Sequence, residues 1–410
     1  MSSTDQAFRL LDLPSELLDG IASFQSKETL LDFRQTSKHI HRHTNVAFAR
    51  CCFHTIQTDL SFASLRRLEQ VAKNERYAQH VQSLLVKGRR HNHFGQGLKW
   101  GRDDQGHLLH RQPAVDRVRG ILRSFPKCAS FQFEKLLEDG DRVPEPLALG
   151  DVVNMILAIV VDLKRPLKGF EIHPLSSPDL SHPNTRGTDL DARTMAMVET
   201  SEFINLSSAL QSFALGHQAG AGIHVATKFG IHLMQGAPKL RHLSLDGDHV
   251  ARGMDIITRM MTAKLDFQLE DLSLAMATGL DGESFRTFLT LHCRNLKSLQ
   301  LRYLDMEYEG WVPTIKHLAT AGFTKLRSVE LDRLSDSWKK DTLLVEFTGV
   351  KQDPIVDGWG ETAKKIRYEQ FRHVLGGARR VFCVSYDGPR MDVALQKIAA
   401  SAKIGSNRFD

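Results

Sequence analysis

Nineteen histidines and five cysteines carry most of the chemical capacity of this 410-residue chain. The cysteines stand at 51, 52, 128, 293 and 383, an odd number with no C-x-x-C pair, so neither a disulfide framework nor a structural zinc site is expected. A reducing compartment, cytoplasmic or nuclear, fits that usage. His39, His41 and His43 alternate, and His39 and His43 fall on one helix face. That spacing suits a metal, but no acidic residue completes an H-E-x-x-H pattern, so a solvated helix is the reading. His91 and His93 sit in a Gly-rich insertion and read as surface residues, and the adjacent Cys51 and Cys52 read as packing at a helix end. The run GHQAGAG (216–222) lacks the lysine and the spacing of a phosphate cradle. No G-x-S-x-G elbow occurs. Asp246, Asp248 and Asp271 are scattered carboxylates that a shared face would have to gather. The expectation is a chain that is not an enzyme, with no catalytic residue, no metal and no cofactor.

The elements around these residues are those of a folded protein. Hydrophobic residues make up 41% and charged residues 25%, which excludes dominant disorder and collagen-like classes. The net charge is +6, and the first 150 residues hold 22 basic against 17 acidic side chains. So small an excess, unclustered, predicts no nucleic-acid partner. The opening MSSTDQAFRLLD has neither the basic nor the apolar region of a secretory signal. The most apolar stretch, VVNMILAIVV (152–161), is too short to span a bilayer and reads as a buried helix, so no membrane partner is expected.

Residues 11–24, LDLPSELLDGIASF, place Leu17, Leu18, Ile21 and Phe24 at helical spacing behind Pro14. A second helix opens at Ser26 as N-cap and runs through Leu30, Leu31 and Phe33 toward Ile40. Helices this short bury one stripe each, so apolar surface is left for a partner. On Leu13-Pro14, Glu16-Leu17-Leu18, Ile21, Leu30-Leu31, Phe33-Arg34 and the TSK at 36–38, the segment 11–55 resembles the F-box in its fungal form. Gln25 departs from that pattern, standing where an apolar residue is usual. The resemblance implies a three-helix hairpin that docks on a Skp-type adaptor of a cullin ubiquitin ligase, through Leu13, Pro14, Leu17, Leu18, Ile21, Leu30 and Phe33.

The remainder is repetitive. Apolar-x-x-apolar-x-apolar recurs as LQSFAL (210–215), LRHLSL (240–245), LEDLSL (269–274), LKSLQL (296–301) and LRSVEL (326–331), at intervals of 30, 29, 27 and 30 residues. Weaker copies are VQSLLV (81–86), CASFQF (128–133) and LKGFEI (167–172), and RRVFCV (379–384) reads as a last one. The alternating end of each copy predicts a half-buried strand, and the stretches 254–265, 284–293 and 312–323 predict helices between them. Strand, loop and helix at this period resemble the leucine-rich repeat in its longer helical form. The family's asparagine position holds Asp248, Ala277, Leu304 and Leu334, so an asparagine ladder is absent and the backbone turns must be satisfied otherwise.

The expected fold is therefore α/β: a flexible start (1–10), the F-box-like helical hairpin (11–55), a curved leucine-rich-repeat-like solenoid with a parallel sheet (56–375), and a C-terminal cap (376–410). Residues 88–112 are expected to form a long surface loop, TLLVEFTGV (342–350) a strand, and 361–375 a helix. In the repeat register one strand face carries His242, Ser244, Asp246, Asp271, Ser273, Ser298, Gln300, Arg302, Ser328, Glu330 and Asp332. These are the expected client-binding residues of a substrate receptor in an SCF-type ubiquitin ligase. The alternative, for which Gln25 speaks, is a repeat scaffold outside any ligase.

Overall fold

The computed structural model describes residues 10–88, 94–136, 146–175, 190, 192–216, 223–247, 256–263, 265–308, 310–338, 341–349, 355, 364–371 and 380–405. The chain is mixed α/β with a mostly parallel sheet, and it divides into two compact units. Met1–Leu136 with Gly140–Ala148 forms one, and Leu137–Asp139 with Leu149–Asp410 the other. No described helix is long and apolar enough to cross a membrane.

The first unit begins with a 3-10 turn (Leu10–Asp12) and four helices: α1 (Ser15–Ser23), α2 (Lys27–Gln35), α3 (Lys38–His43) and α4 (Asn45–Phe53). Ser26 Oγ accepts from Thr29 N at 3.2 Å, capping α2 as expected. The third helix is broken in two at Thr44, whose backbone leaves the helical region and whose hydroxyl turns back to Ile40 O (2.8 Å). Buried Arg34 fixes that corner. Its guanidinium donates to Thr44 Oγ1 (3.0 Å) and Asn45 Oδ1 (2.9 Å) and lies over the Phe48 ring at 4.1 Å. Ala22, Leu30 and Ala47 form the hairpin core, with Phe33 and Phe48 packed against it. Asp19 Oδ1 accepts from Ala47 N (3.0 Å), tying the start of α4 to α1.

Strand β1 (Thr55–Thr58), α5 (Phe62–Ala72), α6 (Glu75–Ala78), β2 (Ser83–Lys87), α7 (Pro113–Arg123) and β3 (Ser130–Leu136) complete this unit. The three strands run parallel, so the two weak copies at 81–86 and 128–133 are strands as expected. Phe53 stacks on Tyr77 at 4.4 Å and so ties α4 to α6. Of the 88–112 insertion, the described part is anchored rather than loose: Phe94 and Leu108 are buried, and Trp100 Nε1 donates to Gly95 O (2.8 Å). His91 and His93 lie outside the described residues.

The second unit opens with α8 (Leu149–Asp162), the apolar stretch read as a buried helix, and nearly every residue of it is buried. There follow β4 (Gly169–Leu175), α9 (Ala192–Val198), α10 (Ser201–Ser207), β5 (Ser212–Gly216), α11 (Ile223–Gln235), β6 (His242–Asp246), α12 (Ile256–Thr262), β7 (Asp271–Asp281), α13 (Gly282–His292), β8 (Ser298–Tyr308), α14 (Trp311–Thr320) and β9 (Ser328–Asp332). Strands β4 to β9 pair parallel in chain order. The five regular copies are in one register: Phe213, Leu243, Leu272, Leu299 and Val329 form one buried row, and Leu215, Leu245, Leu274, Leu301 and Leu331 the next.

Two devices replace the missing asparagine ladder. One carbonyl before each strand accepts two N–H groups from the following copy. Gln211 O takes Arg241 N and His242 N, Arg241 O takes Glu270 N and Asp271 N, Glu270 O takes Lys297 N and Ser298 N, and Lys297 O takes Arg327 N and Ser328 N. Past the cores of β7, β8 and β9, Met276, Tyr303 and Arg333 adopt positive φ of 58°, 52° and 48°. A left-handed residue resets the two-residue alternation. The next residue, Ala277, Leu304 or Leu334, then turns inward and is fully buried where strict alternation would expose it.

The chain end departs from expectation. After β10 (Ser335–Trp338) and β11 (Asp341–Phe347) come β12 (Arg367–Phe371), β13 (Arg380–Asp387), α15 (Met391–Ser401) and β14 (Ala402–Ile404). The copy at 379–384 is not another parallel unit: β13 runs antiparallel on β9, with Cys383 opposite Asp332. The helix expected over 361–375 is instead strand β12, because 367–371 pairs antiparallel with β13 and that pairing overrides local propensity.

Candidate functional site

Two surfaces, one in each unit, gather the residues singled out from sequence. On α1, Leu18 and Ala22 face the hairpin core, while Leu17, Ile21 and the C-cap residue Phe24 share an adjoining face at i, i+4 and i+7. Leu17 is 54% exposed and Phe24 91%. Exposed Pro14, Leu10 before it and Leu31 on α2 add to the apolar surface. The expected docking set therefore splits. Pro14, Leu17 and Ile21 are exposed, and Leu13 is half-buried. Leu18 and Leu30 are fully buried and Phe33 packs on the core, so these three hold the hairpin together and do not face a partner. Phe24 and Leu31 belong to the surface set. The signal for Phe24 was its place three residues after Ile21, on the same helical face.

The second surface is the outward face of the parallel sheet in the second unit. In register, Ser212, His242, Asp271, Ser298 and Ser328 form one row, and Glu171, Ala214, Ser244, Ser273, Gln300 and Glu330 another. Gly216, Asp246, Ala275, Arg302 and Asp332 form a third. All eleven expected client-binding residues thus stand on one face, half-buried or exposed. They are linked across strands. His242 Nδ1 lies 2.5 Å from Asp271 Oδ2, and Ser273 Oγ donates to Gln300 Oε1 (3.4 Å). Arg302 donates from Nε and Nη2 to both oxygens of Glu330 (2.7 and 2.9 Å). Glu171, which no sequence pattern marked, accepts from Ser212 Oγ (2.8 Å) and lies 3.3 Å from His173 Nε2.

Two carboxylates of this face stand apart. Asp246 Oδ1 is enclosed with no hydrogen-bond partner, and burial pushes its carboxyl up to about 6, with the His173 charge opposing. Asp332 Oδ1 is likewise enclosed without a hydrogen bond, Arg333 Nε being 3.9 Å away, and burial raises its carboxyl too. The thiol of Cys383, opposite Asp332, is pushed by burial up to about 12 and stays protonated.

The arrangement offers little covalent chemistry. Asp246 and Asp271 lie two outward rows apart on neighbouring strands, and Asp248 lies outside the described residues, as does 217–222 of the Gly-rich run. His39 and His43 approach to 4.5 Å between ring centroids, and among the described residues no group of three or more His, Cys, Asp or Glu is placed to hold a metal. At the other end of the strands, a groove of about 530 Å³ is lined by Arg241, Phe267 and His292 among others. His292 is buried between Phe267 and Phe288 and pushed down to about 4 by burial, hence neutral near pH 7. No protein-family model matches the sequence, and no curated protein matches it.

Proposed function

We propose that the chain is a substrate-receptor subunit of an SCF-type cullin ubiquitin ligase. Helices α1 to α4 act as an F-box that docks on a Skp-type adaptor, and the strand repeats act as a leucine-rich-repeat-like solenoid that holds a client protein. The chain itself performs no chemistry. It tethers client and ligase, so transfer of ubiquitin to a client lysine becomes effectively intramolecular.

The apolar stripe of α1 carries the reading. Leu17, Ile21 and Phe24 expose a continuous apolar face beside the Leu18–Ala22 stripe that is already buried. A folded chain keeps such a face exposed at a cost in solubility, and a partner that covers it removes that cost. The buried Arg34 corner and the Asp19–Ala47 bond give the hairpin one fixed shape to present. The test is binding of purified Skp-type adaptor to the full chain and to a Leu17→Asp, Ile21→Asp variant. At least a tenfold loss of affinity, with an unchanged unfolding midpoint, is expected. Adaptor binding that is absent in the unaltered chain, or unchanged in the variant, favours a repeat scaffold outside any ligase.

A further inference from the structure

We infer that the groove at the starts of β5 to β7 takes a client segment that inserts one large apolar side chain and offers a main-chain carbonyl to His292. The inference rests on the receptor reading only in calling that segment's owner a client. The groove lies between the turn that leads into β6 (238–241) and the turn that leads into β7 (265–268), beside the end of α13. Of its apolar lining, Leu240 and Phe267 are buried, Leu265 is half-buried, and Leu291 on the last turn of α13 stands 62% exposed. An apolar side chain set among these four removes their remaining surface from water. The charges of the lining nearly cancel: Arg241 is bonded to Glu270 (3.2 Å), and Lys239 and Asp266 add one charge of each sign. Such a rim exerts no pull on nucleic acid or anionic lipid, and it offers donors and acceptors together, as a peptide main chain does.

A second observation points to the carbonyl. His292 is only 2% exposed, held between the rings of Phe267 (stacked, 5.8 Å) and Phe288 (edge-on, 4.6 Å). Its Nδ1 accepts from Leu269 N (3.5 Å), so in the neutral ring the proton sits on Nε2. Burial keeps that ring neutral near pH 7. Among the described residues no group accepts from Nε2, and Nε2 is not one of the enclosed polar atoms that lack a partner, so it keeps accessible surface. The ring lines the groove, and its open surface is there. A buried donor without an acceptor is unfavourable, and a carbonyl entering the groove supplies the acceptor. An arriving ammonium or guanidinium brings only donors and supplies none.

The test follows the ring nitrogens of isotope-labelled histidine by NMR in the full chain. The probes are N-acetyl-phenylalanine methylamide, N-acetyl-alanine methylamide and ethylbenzene. The Nε2 resonance of His292 is identified by its loss in His292→Phe. The phenylalanine amide should move it and saturate in the millimolar range, and the alanine amide should bind about tenfold more weakly. Ethylbenzene has no acceptor and should move it far less. A serine nonapeptide with a central phenylalanine should bind at least as tightly as the amide. Leu291→Ser should weaken both about tenfold, while Leu109→Ser, at an exposed leucine of the first unit, should change neither. The inference is overturned if the alanine amide binds as well as the phenylalanine one, if ethylbenzene moves the resonance as far, if the nonapeptide does not bind, or if both leucine variants lose affinity equally. A chain that binds the nonapeptide and no adaptor sinks the ligase reading alone. One that binds adaptor and neither phenylalanine probe sinks this inference alone.

Discussion

Leucine does opposite work in the two units. On α1, Leu17 and its neighbours Ile21 and Phe24 stand in solvent, while in the strand repeats Leu243, Leu272, Leu299 and Leu301 are all but wholly buried. The difference follows from geometry. A nine-residue helix has one stripe to give to a small core, and apolar residues beyond that stripe stay outside. A strand sends every second residue inward, and a parallel neighbour at matched register covers each in turn. The helical module therefore ends with apolar surface to offer, and the sheet ends with a polar face. The two surfaces differ in chemistry.

The largest expected effect tests this contrast in stability. Trp311 is fully buried, donates from Nε1 to Leu304 O (3.1 Å) and meets Phe285 edge-on, so Trp311→Ala should cost about 3–5 kcal/mol in urea unfolding. Phe24→Ala, at a side chain of similar apolar character that touches almost nothing, should stay within ~0.5 kcal/mol. Equal costs would mean that the α1 face is already covered.

A pH series sharpens the contrast within the second unit. The folded-state value of His292 is depressed from 6.5 to about 4. Its neutral form is therefore favoured by folding, and stability should fall as pH drops from about 6.5 toward 4, by at most ~3 kcal/mol. His292→Phe should flatten that part of the profile relative to the unaltered chain. A profile with the same slope in both proteins would show that the ring is not held neutral.

Asp246 works in the opposite sense. Its folded-state value is raised from 3.8 to about 6, so its ionised form penalises folding at neutral pH and the penalty disappears as both states protonate below about pH 4. Asp246→Asn should gain about 1–2 kcal/mol at pH 7 and nothing at pH 3.5, by denaturation at the two values. A small effect is also expected for His242→Ala. Its contact with Asp271 joins two side chains nearly half exposed, so its loss should cost less than ~1 kcal/mol at any salt concentration.

Much of this was legible in the sequence. The five copies between 210 and 331 are the strands β5 to β9, since a two-residue alternation recurring every 27–30 residues leaves few other ways to bury the same apolar pair. The helix through 152–161 and the cap at Ser26 were equally plain. The outward eleven residues could be named because alternation settles which way a strand residue points. On α1 the same reasoning stopped short. Helical spacing placed Leu17, Leu18 and Ile21 together, but Leu18 faces inward and Leu17 outward, and only the packing of α4 and α2 separates them.

What the sequence determined by itself is local and periodic: where helices and strands begin, which residues alternate, and that an asparagine ladder is missing. What only the tertiary structure decided depends on contacts between residues far apart. The carbonyls of Gln211, Arg241, Glu270 and Lys297 satisfy the turns of the next copy, about thirty residues on. The segment 367–371 became a strand because β13 offered it an edge. Asp246 lost its partners because the neighbouring strands put Gly216 and Ala275 beside it. Hydrogen bonding and burial at a position are set by whatever the fold brings there, and no spacing along the chain records that.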